Sequence, residues 1–270
     1  MPADNQPMKP GRLELSDDVS VGVYVDFENL VCGAGAGLPG RNPVPYAAIT
    51  CLCRDYGNAV IRRAYADWAN TQFGRYQQDL AMNGVDLIQV VRFGTARKNA
   101  ADIRMAVDAM ETLITHPEVS VFVLVAGDGD YTPLVQRLRE FGKRVVGVGT
   151  EANASPRLVS VCSEYKYWGT LVAQVEPDAG GPAAHFDIDD AETLLVTAMA
   201  QATVATPTAS WVKGKMITLD PAFDERNYGC RSFRDFLARF DHRITTSGTS
   251  GSDITLSLLP PNGRGPSPVD

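Results

Sequence analysis

Four aspartates carry the chemistry expected of this 270-residue chain: Asp26, Asp102, Asp128 and Asp130. Asp26 falls near the end of the β-rich run VGVYVDF, Val21–Phe27. Asp128 and Asp130 directly follow the apolar run VSVFVLVA, Val119–Ala126, in AGDGDY. Asp102 sits in the first turn of a helical pattern, Ala101–His116. In an open parallel sheet, ligands gather beyond the carboxyl ends of the strands, so these acids share one rim. Carboxylates crowded without basic partners repel one another, and a divalent cation relieves that repulsion. Hard oxygen ligands suit Mg²⁺ or Mn²⁺. With a phosphate as the remaining ligand, the chemistry is metal-assisted hydrolysis of a phosphodiester.

Each aspartate taken singly has a plainer reading. Asp after a strand is often a turn former or a helix cap. Asp130 ahead of TPLVQ can cap a helix, and Asp102 can favour a helix dipole. The coincidence of four at one edge favours a site. Asp108, six residues past Asp102 and partly off its face, reads equally as outer support or as structure. Asn29 can bond a carboxylate, a bound water or a substrate, or satisfy a loop. Lys98, just ahead of the Asp102 helix, can contact a phosphate as a mobile point charge. Gly35, Gly37 and Gly40 fit GxGxxG, but Pro39 and the following RNPVP do not open a helix, which argues against dinucleotide binding. His116, His185 and His242 are scattered without metal-ligand spacing.

The elements that position the acids follow from the pattern. Apolar runs at Val21–Phe27, Val60–Trp68, Asp86–Phe93, Val119–Ala126 and Arg144–Gly149 read as strands. Pro45–Tyr56, Thr71–Asn83, Ala101–His116 and Tyr131–Phe141 read as helices. The Ala101–His116 helix is expected to bury Ile103, Val107, Met110 and Ile114, and the last helix Leu134, Val135, Leu138 and Phe141. Strands alternating with helices predict an α/β fold with a central, mostly parallel sheet covered on both faces. Beyond EPDAGGPAAHFD, read as a linker, the pattern changes. Ala191–Ala202, Trp211–Leu219 and Arg231–Phe240 read as helical or amphipathic. Two short runs, Arg243–Thr246 and Asp253–Leu258, follow, separated by SGTSGS. Three helices and a hairpin make the pattern of a small winged helix.

Composition excludes several classes. Hydrophobic residues are 44% and charged residues 21%, ordinary for a globular protein. No apolar run reaches membrane-spanning length, and the polar N-terminus lacks a signal-peptide core. A net charge of −7 argues against bulk-basic nucleic-acid binding. Five cysteines without a CxxC pair argue against a disulfide framework or a zinc finger, so a reducing cytoplasm is the expected location.

At VYVDFENL, KNAADIRMAVDAM and VLVAGDGDYTPLVQRLREFGKRVVGVG, the chain resembles the NYN family of PIN-like nucleases, in its LabA-type branch. The resemblance implies a PIN-like three-layer sandwich and a ribonuclease site holding Mg²⁺ or Mn²⁺. Asp26, Asp102 and Asp128 match the metal-binding acids, with Asp130 close behind, and Asn29 matches the asparagine of the first motif. Ala126 stands where many relatives carry Ser or Thr. Relatives often pair, so a homodimer is an expectation. WVKGKMITLDPAFDERNYGCRSFRDFLARF and the following hairpin resemble the OST-HTH or LOTUS domain, which implies a winged helix that binds RNA or a protein partner. Arg231, Arg234, Arg239, Lys213 and Lys215 then form a candidate phosphate-contacting face, against which stands the net negative charge of that block. The expected division is a flexible tail (1–18), the NYN domain (19–174), a linker (175–187), the winged helix (188–260) and a second tail (261–270). The expected activity is metal-dependent hydrolysis of RNA. The alternatives are a non-catalytic RNA-binding or regulatory module and, further off, a small-molecule phosphohydrolase.

Overall fold

The structure is a computed structural model that describes residues 19–34, 42, 44–91, 100–176 and 186–259. Lys98, the GxGxxG glycines and both expected tails lie outside these residues. In chain order the first block comprises β1 (Ser20–Asp26), α1 (Phe27–Ala34), α2 (Tyr46–Arg54), β2 (Asn58–Ala66), α3 (Thr71–Gly74), α4 (Gln77–Met82) and β3 (Asp86–Gln89). It continues with α5 (Ala100–Thr115), β4 (Val119–Val125), α6 (Thr132–Glu140), β5 (Arg144–Gly149), α7 (Pro156–Val161), β6 (Glu164–Tyr167) and α8 (Trp168–Val175). The strands form one sheet in the order β3-β2-β1-β4-β5-β6, with every pairing parallel.

The alternation of β1 and β4 explains the layering. Val21, Val23 and Val25 of β1 and Val121, Val123 and Val125 of β4 enter one core, shared with α1, α2 and α8. Tyr24, Phe122 and Leu124 enter the opposite core, shared with α5, α6 and α7. A central strand covered on both faces has no solvent side to vary, hence the unbroken apolar run. Each such Val or Leu stabilises by about 1.5–3 kcal/mol. The result is the α/β/α arrangement that a PIN-like sandwich requires. Because β1 is followed by β2 on one side and paired with β4 on the other, the strand order reverses direction between β1 and β4. Such a switch point opens a crevice at the carboxyl edge.

The structure corrects several expectations. The Ala101–His116 helix presents the opposite face to the core: α5 buries Ala101, Met105, Asp108, Ala109, Thr112 and Leu113. Ile103, Val107 and Ile114 are 63%, 57% and 75% exposed. The periodicity was apolar on two sides, and the small Ala101 and Ala109 allow the closer approach to β1. Phe141 is likewise exposed, because α6 ends at Glu140 and Gly142, at φ 74°, turns the chain away. The expected single helix at Thr71–Asn83 is split into α3 and α4, and Tyr131 belongs to a 3₁₀ turn (Gly129–Tyr131) ahead of α6. The elements α1, α7, β6 and α8 had no reading in the sequence pattern.

The remaining elements are α9 (Ile188–Ala200), α10 (Ala209–Leu219), α11 (Phe233–Ala238), β7 (Ile244–Ser250) and β8 (Asp253–Leu258). Phe223, Phe236, Phe240, Leu195, Val212 and Met216 form their core. Ser232 caps α11 through the Asp235 amide, so the expected Arg231–Phe240 helix starts later. Most of SGTSGS is strand: the antiparallel β7–β8 ladder runs to Ser250 and Asp253, and Gly251, at φ 63°, makes the turn. This block docks on the sheet edge. The Tyr165 amide of β6 donates to the Pro221 carbonyl at 2.7 Å, and Lys166 bridges to Asp224 at 2.9 Å. The edge strand is thereby covered.

Candidate active site at the carboxyl edge

Asp26 ends β1 and caps α1: its Oδ1 accepts the Asn29 amide at 3.1 Å. The plainer reading of this residue is therefore true as well, and it explains how the carboxylate is fixed. Its other oxygen is free to face the crevice. There the Tyr131 hydroxyl lies 3.2 Å from Asp26 Oδ2 and 2.7 Å from Asp102 Oδ1. One phenol joins a strand end, a 3₁₀ turn and the start of α5. Asp26 is only 5% exposed. Burial pushes its carboxyl up to about 6, and the charge of Asp102 adds to this, opposed by the Asn29 amide and the Tyr131 hydroxyl. Asp102 is raised for the same first reason, burial, with Asp128 and Asp130 adding to it electrostatically. Burial and the two carboxylates push the Tyr131 phenol far up, so it remains a neutral donor.

Asp128 and Asp130 stand at the same edge but are exposed. Asp128, not Asp130, is the capping residue: its Oδ1 accepts the Asp130 amide at 3.0 Å. Among the described residues no Lys or Arg forms an ion pair with Asp26, Asp102, Asp128 or Asp130. Among the same residues no group of three or more His, Cys, Asp or Glu side chains converges tightly enough to hold one ion. The arrangement is a converged pair, Asp26 and Asp102, with two further acids within electrostatic reach of Asp102. Two hard carboxylates without a basic partner suit a Mg²⁺-like ion that keeps waters and takes substrate oxygens for its other positions. Without a cation, burial and their mutual charge hold both carboxyls above the usual range.

Asp108 is structural. Tyr65 donates to it at 3.0 Å, Arg104 Nε at 2.9 Å, and Arg63 lies 3.8 Å away. Asn29 lies one helical turn from Asp26, half-buried. Arg231 and Arg234 are exposed at the start of α11, in the second block.

Sequence reading missed two parts of this edge. Tyr131 is the first; its position directly after GDGD, at a strand end, was the available signal. The second is the loop after β5, which folds back over the switch point. Ser155 donates its amide to the Gly127 carbonyl at 2.9 Å. A side chain at Gly127 would meet the Asn153 carbonyl at 2.6 Å, so only glycine lets this loop approach. The loop also brings Thr150, whose buried Oγ1 has no hydrogen-bond partner among the described residues, close to Gly33 of α1.

Comparison with known proteins relates the chain to a family model, a curated relative and a solved structure. The family model for the NYN domain matches residues 20–169. The uncharacterized protein MJ0482 of Methanocaldococcus jannaschii is 29% identical over 110 residues, 40% of this chain and 40% of that protein. The chain thus aligns with well under half of that relative. The crystal structure of VPA0982, a protein of unknown function from Vibrio parahaemolyticus, matches with a TM-score of 0.45 and 22% identity over 56% of this chain and 93% of the other.

Proposed function

The chain belongs to the NYN domain family, and we propose from this premise that it is a divalent-metal-dependent ribonuclease with its site at Asp26, Asp102 and Asp128. The observation that carries the reading is the Asp26–Tyr131–Asp102 junction, two carboxylates meeting at one neutral phenol with no ion-paired base among the described residues. Asp26 and Asp102 would hold Mg²⁺ or Mn²⁺, with Asp128 nearest to completing the set. Such an ion supplies a water acidified to near neutrality and stabilises charge on the leaving oxygen. The protein's own groups do the positioning. The Asn29 amide and the Tyr131 hydroxyl fix Asp26, and Tyr131 orients Asp102 from the same atom. Asp130 would complete the site or orient a water, Asn29 would contact substrate, and Lys98 would steady the scissile phosphate.

The second block reads as an OST-HTH or LOTUS winged helix that presents RNA through Arg231 and Arg234 or recruits a protein partner. Its three helices and hairpin support this, as does the bridge between Thr208 and Thr255, which adds a third extended segment to the β7–β8 ladder. The tails, the linker and a cytoplasmic location stand as part of the same proposal. Among the described residues no helix is long and apolar enough to cross a membrane.

A labelled RNA incubated with Mn²⁺ tests the reading, with wild type set beside Asp26→Asn and Asp128→Asn. Cleavage lost in both variants and in chelator is the expected result; cleavage that survives all three removes the proposal. The absence of a closed three-acid group among the described residues favours one rival, an RNA-binding module without turnover. RNA retention with equal affinity in chelator, and no cleavage, would establish it.

A further inference from the structure

The exposed face of α5 has no partner in the chain's described residues, and its pattern specifies one. Ile103, Val107 and Ile114 project to solvent and Met110 is half-buried, on the side opposite the buried Met105, Asp108 and Thr112. The spacings between the four are four, three and four residues. That sequence of intervals reads the same in both directions along the helix. Two such helices packed antiparallel about a two-fold axis between Val107 and Met110 bring like layers into register. Ile103 then meets the partner's Ile114, and Val107 meets the partner's Met110, the alternation of a two-helix antiparallel seam.

The flanking charges agree with this register. Arg104 and Glu111 are seven residues apart, on one flank of the stripe, and both are exposed. Antiparallel pairing sets Arg104 beside the partner's Glu111, and Glu111 beside the partner's Arg104. Parallel pairing would set this flank against the partner's opposite flank, where Ala106 and Leu113 offer no charge. Arg104 also contacts Asp108 through Nε at 2.9 Å, and its side chain stays 57% exposed. An RNA strand is a poor occupant for the same face. The stripe is aliphatic, offers no ring for stacking, and carries one acid for each base.

We infer that α5 is a self-association surface: a second copy of this chain packs antiparallel on Ile103, Val107, Met110 and Ile114. Asp102 adjoins the first of these. At 1.5 Å per residue the pairing sets the two acid edges roughly 20 Å apart, at opposite ends of the shared helix pair. The inference stands independently of what chemistry the acids perform.

Sedimentation velocity of the full chain over a concentration series tests it, with Val107→Glu as the disrupting variant. The wild type is expected at twice the chain mass, and Val107→Glu is expected to weaken association by about 30-fold or more. Val107 is a surface position, so the variant should keep its fold, checked by circular dichroism. The register is tested in a Cys32→Ser background by mixing chains carrying Ile103→Cys with chains carrying Ile114→Cys under mild oxidant. Disulfide-linked dimers in the mixture, and not in either preparation alone, are expected. A monomeric wild type, a dimer indifferent to Val107→Glu, or cross-linking of the Ile103→Cys chain with itself overturns the inference. So does a monomer in which Val107→Glu weakens RNA binding instead.

Discussion

Two of the places where this molecule buries carboxylates do so in opposite ways. At the seam between β6 and the second block, Glu164 accepts from Tyr56 at 2.8 Å, pairs closely with Arg144 and lies 3.2 Å from Lys166. Asp224 there is held by Lys166 at 2.9 Å and by Arg226 at 2.6 Å. Burial alone would raise both groups. Lys166 and Arg144 overcome it at Glu164, and Arg226 with Lys166 overcomes it at Asp224, so both are held below the usual carboxylate range. At the carboxyl edge Asp26 has a backbone amide and a neutral phenol but no cation, and it is raised. The same residue type thus serves adhesion where a base meets it and keeps an uncompensated burial penalty where none does. Shifts of this kind mark functional sites more often than structural ones.

The largest way to break the comparison is to make the seam resemble the edge. Lys166→Met leaves Glu164 and Asp224 facing each other without the cation between them, and should cost about 3–5 kcal/mol, read by urea denaturation. Asp26→Asn acts in the reverse direction. It should lower RNA cleavage by more than about 100-fold, since loss of even an outer partner of a metal ligand costs up to that much. It should also raise the stability of the metal-free protein near pH 7 by up to about 3 kcal/mol, because a carboxylate held near 6 instead of 3.8 opposes folding when ionised.

The pH dependence of stability sharpens the contrast. The contribution of protonated Asp26 is present below about 4 and is lost as pH rises through 6. The contributions of Glu164 and Asp224 are present above the ordinary carboxylate range and are lost as pH falls through it. Thermal melts across pH 3–8 should therefore flatten between about pH 4 and 6 in Asp26→Asn, and below about pH 4 in Asp224→Asn. Tyr131→Phe is expected to be milder. It removes the shared donor, so the acid limb of the cleavage profile should move to higher pH, with a loss of about 10-fold. Smallest is the Arg231→Ala, Arg234→Ala double variant. It should lower RNA affinity modestly and reduce the salt slope of binding by roughly 1.

The sheet was legible because its strands are encoded locally. VSVFVLV cannot be an exposed segment, and runs of this length bounded by Gly and Asp leave few alternatives. The clustering of Asp26 with Asp102 was legible too, since strand ends and the following helix starts share an edge in any parallel sheet. What failed was the facing of α5. Ala101 and Ala109 weigh little in a hydropathy pattern, whereas Ile103, Val107 and Ile114 weigh much, yet the small residues are the ones that fit against β1. Short elements such as α1, α7 and β6 were not legible because a few residues carry too little periodicity of their own.

Local pattern therefore determined the parallel sheet and set four acids at one edge as an expectation, while the family rested on the resemblance of three motifs. Tertiary structure decided which of those acids meet, through the hydroxyl of Tyr131, and which is merely held in place, as Arg104 and Tyr65 hold Asp108. It also decided that Glu164 and Asp224 are neutralised across a seam whose halves lie 58 residues apart at Lys166 and Asp224. The reason is physical: periodicity reports the environment of a residue averaged along its own element. The charge state of a carboxylate depends on atoms within a few ångströms that arrive from elsewhere in the chain.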